Sequence, residues 1–290
     1  MTKFRQQKGF TLVELAIVLT IIGLLIGGVL KGRQLIQNSR VTATIAQVNA
    51  IAAATTAFKD TYNATPGDMP DASTRIPNCS QCIPLTSGDP DTVSAGGIAG
   101  DGAVGATNWN MARAQGATAV APNSSVDNET LYFWAELGQA GLISGVSYNG
   151  APIGGGAATF GTHAPAAKVG GGLIVGYASG VVDQPLAVPP AAAGRARLSG
   201  LVLALVPSPS VNLATTTGTQ PLDASTAAQI DRKTDDGAPI TGDTQVYGYN
   251  TGNTAAGCFG LPLTVTVSTV EAYNEAITAK DCGLFFKING

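Results

Sequence analysis

The chain has 290 residues, 44% of them hydrophobic, 6% aromatic and only 12% charged, with a formal net charge of −3 at pH 7. A charged fraction about half the usual ~25%, with a single long apolar run, excludes a disordered acidic tail, a coiled coil, collagen and a polytopic membrane protein. The acidic sign argues against a general nucleic-acid binder, and the length is ample for a real core.

The charge is unevenly placed. Lys3, Arg5 and Lys8 precede the apolar run with no acid among them, and beyond residue 9 only 13 basic residues face 19 acids. Such a remainder suits a well-solvated exported surface. From Phe10 to Leu30 the chain is apolar apart from one charge, Glu14. About 20 apolar residues span a bilayer core as a helix. The three basic residues before the run predict that this end stays in the cytoplasm, while Lys31 and Arg33 beyond it weaken that vote.

Two plain readings compete for this run. A secretory signal peptide would have a shorter apolar stretch and a small-residue cleavage site, where this chain has Gly27-Gly28-Val29-Leu30-Lys31. A plain N-terminal anchor explains everything except Glu14 and the Gly9–Phe10 junction. A carboxylate in hydrocarbon costs several kcal/mol unless paired or neutralised, so its default reading is a functional residue with a cationic partner.

The stretch Gly9-Phe10-Thr11-Leu12-Val13-Glu14, behind a basic leader and ahead of an apolar helix, resembles the signal of type IV pilins and pseudopilins. The resemblance is strong over residues 1 to about 65. It implies cleavage after Gly9 by a prepilin peptidase, methylation of the new N-terminal Phe10, and Glu14 as the fifth mature residue. It also implies that Glu14 of one subunit pairs with the Phe10 amine of a neighbour, which makes two costly buried charges tolerable and sets the stagger of assembly. The implied partners are the peptidase and methylase, homologous pilin subunits in a helical filament, an inner-membrane assembly platform and the lipid bilayer, with no nucleic acid. The implied location is the bacterial inner membrane, single-pass, and then a periplasmic or cell-surface filament.

Beyond the membrane run, Val41, Ile45, Val48, Ile51, Thr55 and Phe58 recur at helical spacing among many alanines, with no proline from Phe10 to Ala64. This predicts one helix from 10 to 62, roughly 80 Å long at about 1.5 Å per residue. It should end near Tyr62-Asn63, before the turn signal Pro66-Gly67-Asp68. Gly23, Gly27, Gly28 and Gly32 form two small-x-x-x-small pairs that permit close helix approach and lower helix stability. Lys31 stands where many members of the family carry a proline, so no proline kink is expected there.

The rest of the chain is turn-rich. Residues 173–177, 201–206, 245–249 and 284–288 read as strands. Leu131 to Leu142 reads as a helix, with Asp127 as an N-cap and Gly141 as its stop. The segments 150–172 and 188–193 read as loops. The fold class is therefore α+β: a long N-terminal helix, transmembrane in its first half, on a mainly antiparallel sheet. That is the pilin roll by resemblance, elaborated by large insertions at 67–126 and 150–172. The expected organisation is a leader at 1–9, a membrane and filament-core helix at 10–30, an amphipathic stem at 31–63 and an exported domain at 64–290. Three blocks (62–68, 133–143 and 230–237) also resemble a group of prepilin-type proteins with no activity attached to them.

Four cysteines, Cys79, Cys82, Cys258 and Cys282, allow three pairings, and disulfides are the default in an exported domain. The resemblance implies a Cys258–Cys282 bond, because many type IV pilins close a C-terminal loop with a disulfide; Cys79 would then pair with Cys82. The Cys79-x-x-Cys82 spacing also suits redox chemistry, but the βαβ context is missing. His163 is the only histidine, and the chain has neither a Gly-x-Ser-x-Gly elbow nor a metalloprotease histidine pair, so no enzyme is expected. The acidic groups Asp68/Asp71, Asp89/Asp91/Asp101 and Asp231/Asp235/Asp236 lack the twelve-residue EF-hand spacing and read as solvated turns. No metal site is assigned. Calcium, which some pseudopilins bind near their C-terminal end, is the one cofactor the resemblance admits.

The expected function is a structural subunit of a type IV pilus or related filament. The alternatives are a type II secretion pseudopilin and a minor pilin acting as a tip adhesin or DNA-uptake module. A membrane-anchored enzyme would need a catalytic constellation that the residues do not offer.

Overall fold

The computed structural model describes residues 11–79, 82, 100, 102, 104, 128–146, 159–179, 198–208, 218–239, 241–248, 258–260 and 272–288. The chain divides into two units, residues 1–40 and 41–290. A single helix, α1 (Leu12–Tyr62), carries the chain from the first unit into the second. The second unit thus begins within the helix, where Val41 is the first of seven buried residues on α1.

Five of the six residues expected on the stem face of α1 are buried, and Ile45 is half-buried. Val41, Thr44, Val48, Ile51, Ala54, Thr55 and Phe58 are buried and form one face. Thr44 Oγ1 accepts the Val169 amide at 3.2 Å, and the Gln47 side-chain amide donates to the Ala166 carbonyl at 3.1 Å. The helix stops at Tyr62. Asn63 takes a left-handed φ of 51° and its amide closes on the Lys59 carbonyl at 2.7 Å, an αL stop. Thr65-Pro66-Gly67-Asp68 follows as a turn, with Asp68 N–H donating to the Thr65 carbonyl at 3.2 Å and Gly67 at φ 83°. A positive φ at the third residue, after proline, is the type II pattern that glycine satisfies.

A short helix α2 (Ala72–Arg75) leads to the first cysteines, and α3 (Asn128–Gln139) is the helix expected at 131–142, shifted by three residues. Gly141, at φ 71°, ends it. The Leu142 amide reaches the Leu137 carbonyl at 3.0 Å and the Gly141 amide the Gly138 carbonyl at 3.0 Å, a Schellman stop. The proposed cap, Asp127, lies outside the described residues.

All four expected strands are present. They are β1 (Gly172–Ser179), β2 (Ser199–Val206), β3 (Thr244–Gly248) and, late in the chain, β6 (Cys282–Lys287). Tyr249, expected to extend the third of them, lies outside the described residues. They form an antiparallel sheet in the order β1-β2-β6-β3. A second, two-stranded sheet pairs β4 (Phe259–Gly260) with β5 (Ala272–Tyr273), and neither strand was expected. Central β2 is apolar at every position from Leu201 to Val206 because it is buried on both faces. Leu201, Leu203 and Leu205 join the core that holds the α1 face, while Val202, Ala204 and Val206 join Tyr247 and Phe285 on the other side. The loop expected at 150–172 is described only from residue 159 and holds turns and isolated bridges before β1 begins. The loop expected at 188–193, most of the expected insertion at 67–126 and residues 150–158 of the other lie outside the described residues.

A further helix, α4 (Ala224–Thr234), was not anticipated. The Asp223 side chain caps it by accepting the Thr226 amide at 2.7 Å. Its buried face is built from Ala224, Thr226, Ala227, Ala228, Ile230 and Asp231, and only Ile230 is a large apolar residue. A face of alanines with an acid on it gives too weak a periodic signal to be read as a helix.

Candidate functional site

The residues that carry the most specific expectation are those at the start of α1. Gly9 and Phe10 lie outside the described residues. Thr11 and Glu14 are described, and they form a capping box. Glu14 Oε2 accepts the Thr11 amide at 2.9 Å and the Thr11 hydroxyl at 2.8 Å, and Thr11 Oγ1 accepts the Glu14 amide at 3.3 Å. The Leu15 amide meets the Thr11 carbonyl at 3.2 Å to open the helix. The acid that looked anomalous in an apolar run therefore has two donors within its own chain. Thr11 was not singled out in the sequence, although Thr-x-x-Glu ahead of an apolar run is a readable signature.

The rest of the first unit is a helix with nothing over it. The 18-residue window of highest mean hydropathy, 2.6, has no buried residue. Fifteen large apolar side chains from Leu12 to Ile36 are exposed, Leu12 and Leu24 by 87% and 78%. In water this surface would far exceed a tolerable exposed patch. A helix keeps its backbone hydrogen bonds within itself, so the same surface is stable in lipid or against other helices. Thr20 Oγ1, the polar atom midway, returns its proton to the Ile17 carbonyl at 2.8 Å. Among the described residues α1 is the only helix long and apolar enough to cross a membrane.

Gly23, Gly27, Gly28 and Gly32 all lie within this unbroken helix, and a β-carbon at any of them would meet nothing within 4 Å. At about 100° per residue the 23/27 pair and the 28/32 pair fall on different faces, roughly 140° apart. Lys31 lies within the same unbroken helix, its Nζ 3.5 Å from Gln34 Oε1 one turn on.

In the second unit Cys258 is joined to Cys282 and Cys79 to Cys82, with Cα–Cα separations of 5.1 and 5.3 Å. Cys282 opens β6 and Cys258 precedes β4, so the first bond ties the small sheet to the large one. Replacing both Cys258 and Cys282 by serine is expected to cost about 3 kcal/mol by loop entropy, since the bond spans 24 residues. Urea unfolding of the variant against the parent, followed by circular dichroism, measures it; an unchanged midpoint would remove the staple.

The solvated-turn expectation for the acids is corrected at two places. Asp68 is 4% exposed and its carboxylate accepts the amides of Gly100 and Gly102. Asp231 is fully buried, because it lies on the core face of α4 and not in a turn. Asp89, Asp91 and Asp101 lie outside the described residues. Two of the three sequence blocks meet: Glu136 of α3, itself 2% exposed, accepts the Gly67 amide at 2.7 Å and so fixes the turn that follows α1. His163 is half-buried, with Nδ1 accepting the Thr159 amide at 3.1 Å, which shapes a turn.

Comparison with known families places the prokaryotic N-terminal methylation motif at residues 4–30. This motif is the signal of type IV pilins and pseudopilins, and together with the apolar α1 it points to a membrane-anchored precursor. No curated protein and no solved structure matches the chain.

Proposed function

We propose that this chain, carrying a methylation motif at residues 4–30, is a structural subunit of a type IV pilus or a related filament. Its precursor sits in the bacterial inner membrane through the first half of α1. A prepilin peptidase cuts after Gly9, and Phe10 becomes the methylated N-terminus. The apolar half of α1 then exchanges lipid for the helices of neighbouring subunits, and the second unit faces outward. The observation that carries this reading is the bare apolar surface from Leu12 to Ile36, headed by Glu14 and preceded by Gly9 and Phe10.

The exchange is physically balanced. Lipid and a bundle of apolar helices are equivalent solvents for leucine and isoleucine, so the gain comes from packing and from polar pairs. The two glycine pairs offer close approach on two faces. Glu14, paired with a neighbour's Phe10 amine, supplies the polar term and the register.

Mass spectrometry of the mature protein provides the test. The expected N-terminal peptide begins with N-methylated Phe10. A mature chain beginning at any other residue would overturn the reading and leave a tethered ectodomain. Antibody labelling then separates a major subunit, labelled along sheared surface filaments, from a tip subunit and from a short periplasmic pseudopilus.

A further inference from the structure

We propose that Asp231, Asp235 and Asp236, at the C-terminal end of α4, hold a divalent cation of the calcium class that ties this helix to the loop leading into β3. The proposal does not rest on the filament reading. One carboxylate oxygen from each of the three residues lies within 4.8 Å of the others. A calcium ion bound at 2.3–2.6 Å fits among oxygens so spaced. The donor set is carboxylate only, without histidine or cysteine, which favours a hard cation over zinc or copper.

A cluster of acids at a surface turn would mean little. The distinguishing feature is Asp231, which is fully buried. Its Oδ2 accepts the Tyr273 hydroxyl of β5 at 2.7 Å, but its Oδ1 has no hydrogen-bond partner. A buried carboxylate oxygen without a donor is costly, and a cation removes that cost. The neighbouring cation does not serve, because the Arg232 guanidinium is directed to Glu275. Burial pushes the Asp231 carboxyl up to about 6; Asp236 and Asp235 push the same way, while Tyr273 and the Gly237 backbone pull it down. The site also sits at the carbonyl end of α4, where the helix dipole favours a cation.

The two outer acids are already held in place. Asp235 accepts the Thr244 amide at 2.9 Å, while Asp236 accepts the Ala238 amide at 2.8 Å and the Thr241 hydroxyl at 2.5 Å. Asp235 is half-buried and Asp236 exposed, so the ion reaches the buried acid from the solvent side. Waters and backbone carbonyls complete the six to eight oxygens that calcium takes. Magnesium, which demands a near-ideal octahedron and keeps its water, fits this one-sided acid set less well.

The test uses the full chain in detergent micelles, treated with chelator and then titrated with calcium chloride. Calcium at millimolar concentration is expected to raise the unfolding temperature by several degrees, and magnesium by less. Asp236→Asn, at the exposed position, is expected to weaken calcium binding at least tenfold in calorimetry while retaining the chelated parent's unfolding temperature. Terbium provides a second readout. Bound beside Asp231 it is sensitised by Tyr273, and Tyr273→Phe is expected to abolish that luminescence while calcium still raises the unfolding temperature. No calcium-dependent stabilisation of the parent, or equal stabilisation of parent and Asp236→Asn, would overturn the proposal.

Discussion

Replacing Glu14 with alanine is expected to leave cleavage after Gly9 intact and to abolish incorporation into filaments. On the proposed reading Glu14 has two tasks, and they are separable. Within its own chain it closes the capping box with Thr11, and the loss of such a cap costs about 1 kcal/mol. Between chains, on the proposed reading, it supplies the counter-charge for a neighbour's Phe10 amine. Removing one member of a buried ion pair costs about 3–5 kcal/mol at each contact, because the other charge is left bare. A filament repeats that cost at every subunit, so the second task dominates. Glu14→Gln distinguishes them. Glutamine at the same position still closes a capping box but carries no charge. If pairing governs assembly, Glu14→Gln fails as alanine does. If capping governs it, glutamine restores filaments. Mass spectrometry of the mature protein reports cleavage, and the sheared surface fraction reports incorporation. Normal filaments from Glu14→Ala would defeat the pairing argument.

Gly283→Ala is expected to destabilise the second unit by about 3 kcal/mol or more. Gly283 on β6 stands directly across from Tyr247 on β3. A β-carbon at Gly283 would overlap the Tyr247 ring and hydroxyl, which occupy that space. Tyr247 is fully buried, its ring centroid is 4.7 Å from that of Phe285, and its hydroxyl donates to the Leu205 carbonyl at 2.5 Å. The added methyl cannot be met by a small shift. It drives the ring off the sheet, with an overpacking cost of about 1–3 kcal/mol, and leaves a buried hydroxyl unpaired for about 1–3 kcal/mol more. For a unit of this size the expected fall in unfolding temperature is roughly 10 °C. Thermal unfolding of the variant measures it. A fall of a degree or less would mean that Tyr247 has an alternative seat. Gly283→Ala with Tyr247→Phe should recover the hydroxyl penalty and the hydroxyl's share of the overlap, but not the overlap with the ring.

What was legible in the sequence follows from what is local in the physics. The α1 helix, its end at Tyr62 and the turn at Pro66-Gly67 depend on periodicity, alanine content and turn chemistry within a few residues of one another. The strands at 173–177, 201–206, 245–249 and 284–288 were readable because each is a short apolar or aromatic run. The methylation motif was readable because it is a linear pattern within residues 4–30. The capping box was equally local and went unread only because Glu14 had a more conspicuous expected role.

Other features depend on residues far apart in the chain. The strand order β1-β2-β6-β3 places the last strand at the centre, and no local pattern specifies it. The burial of Asp231 requires Tyr273, forty-two residues on, as does the oxygen left without a donor. Glu136 and Gly67 meet across sixty-nine residues. Gly283 looks like an ordinary glycine until Tyr247 is laid across it. The sequence alone therefore determined α1, the four strands of the larger sheet and the membrane signal, because these arise from short-range spacing and hydropathy. Only the tertiary structure decided which acids are buried, which glycines leave no room for a side chain and which helix is built on alanine, because burial and close approach belong to pairs of residues and not to either residue alone.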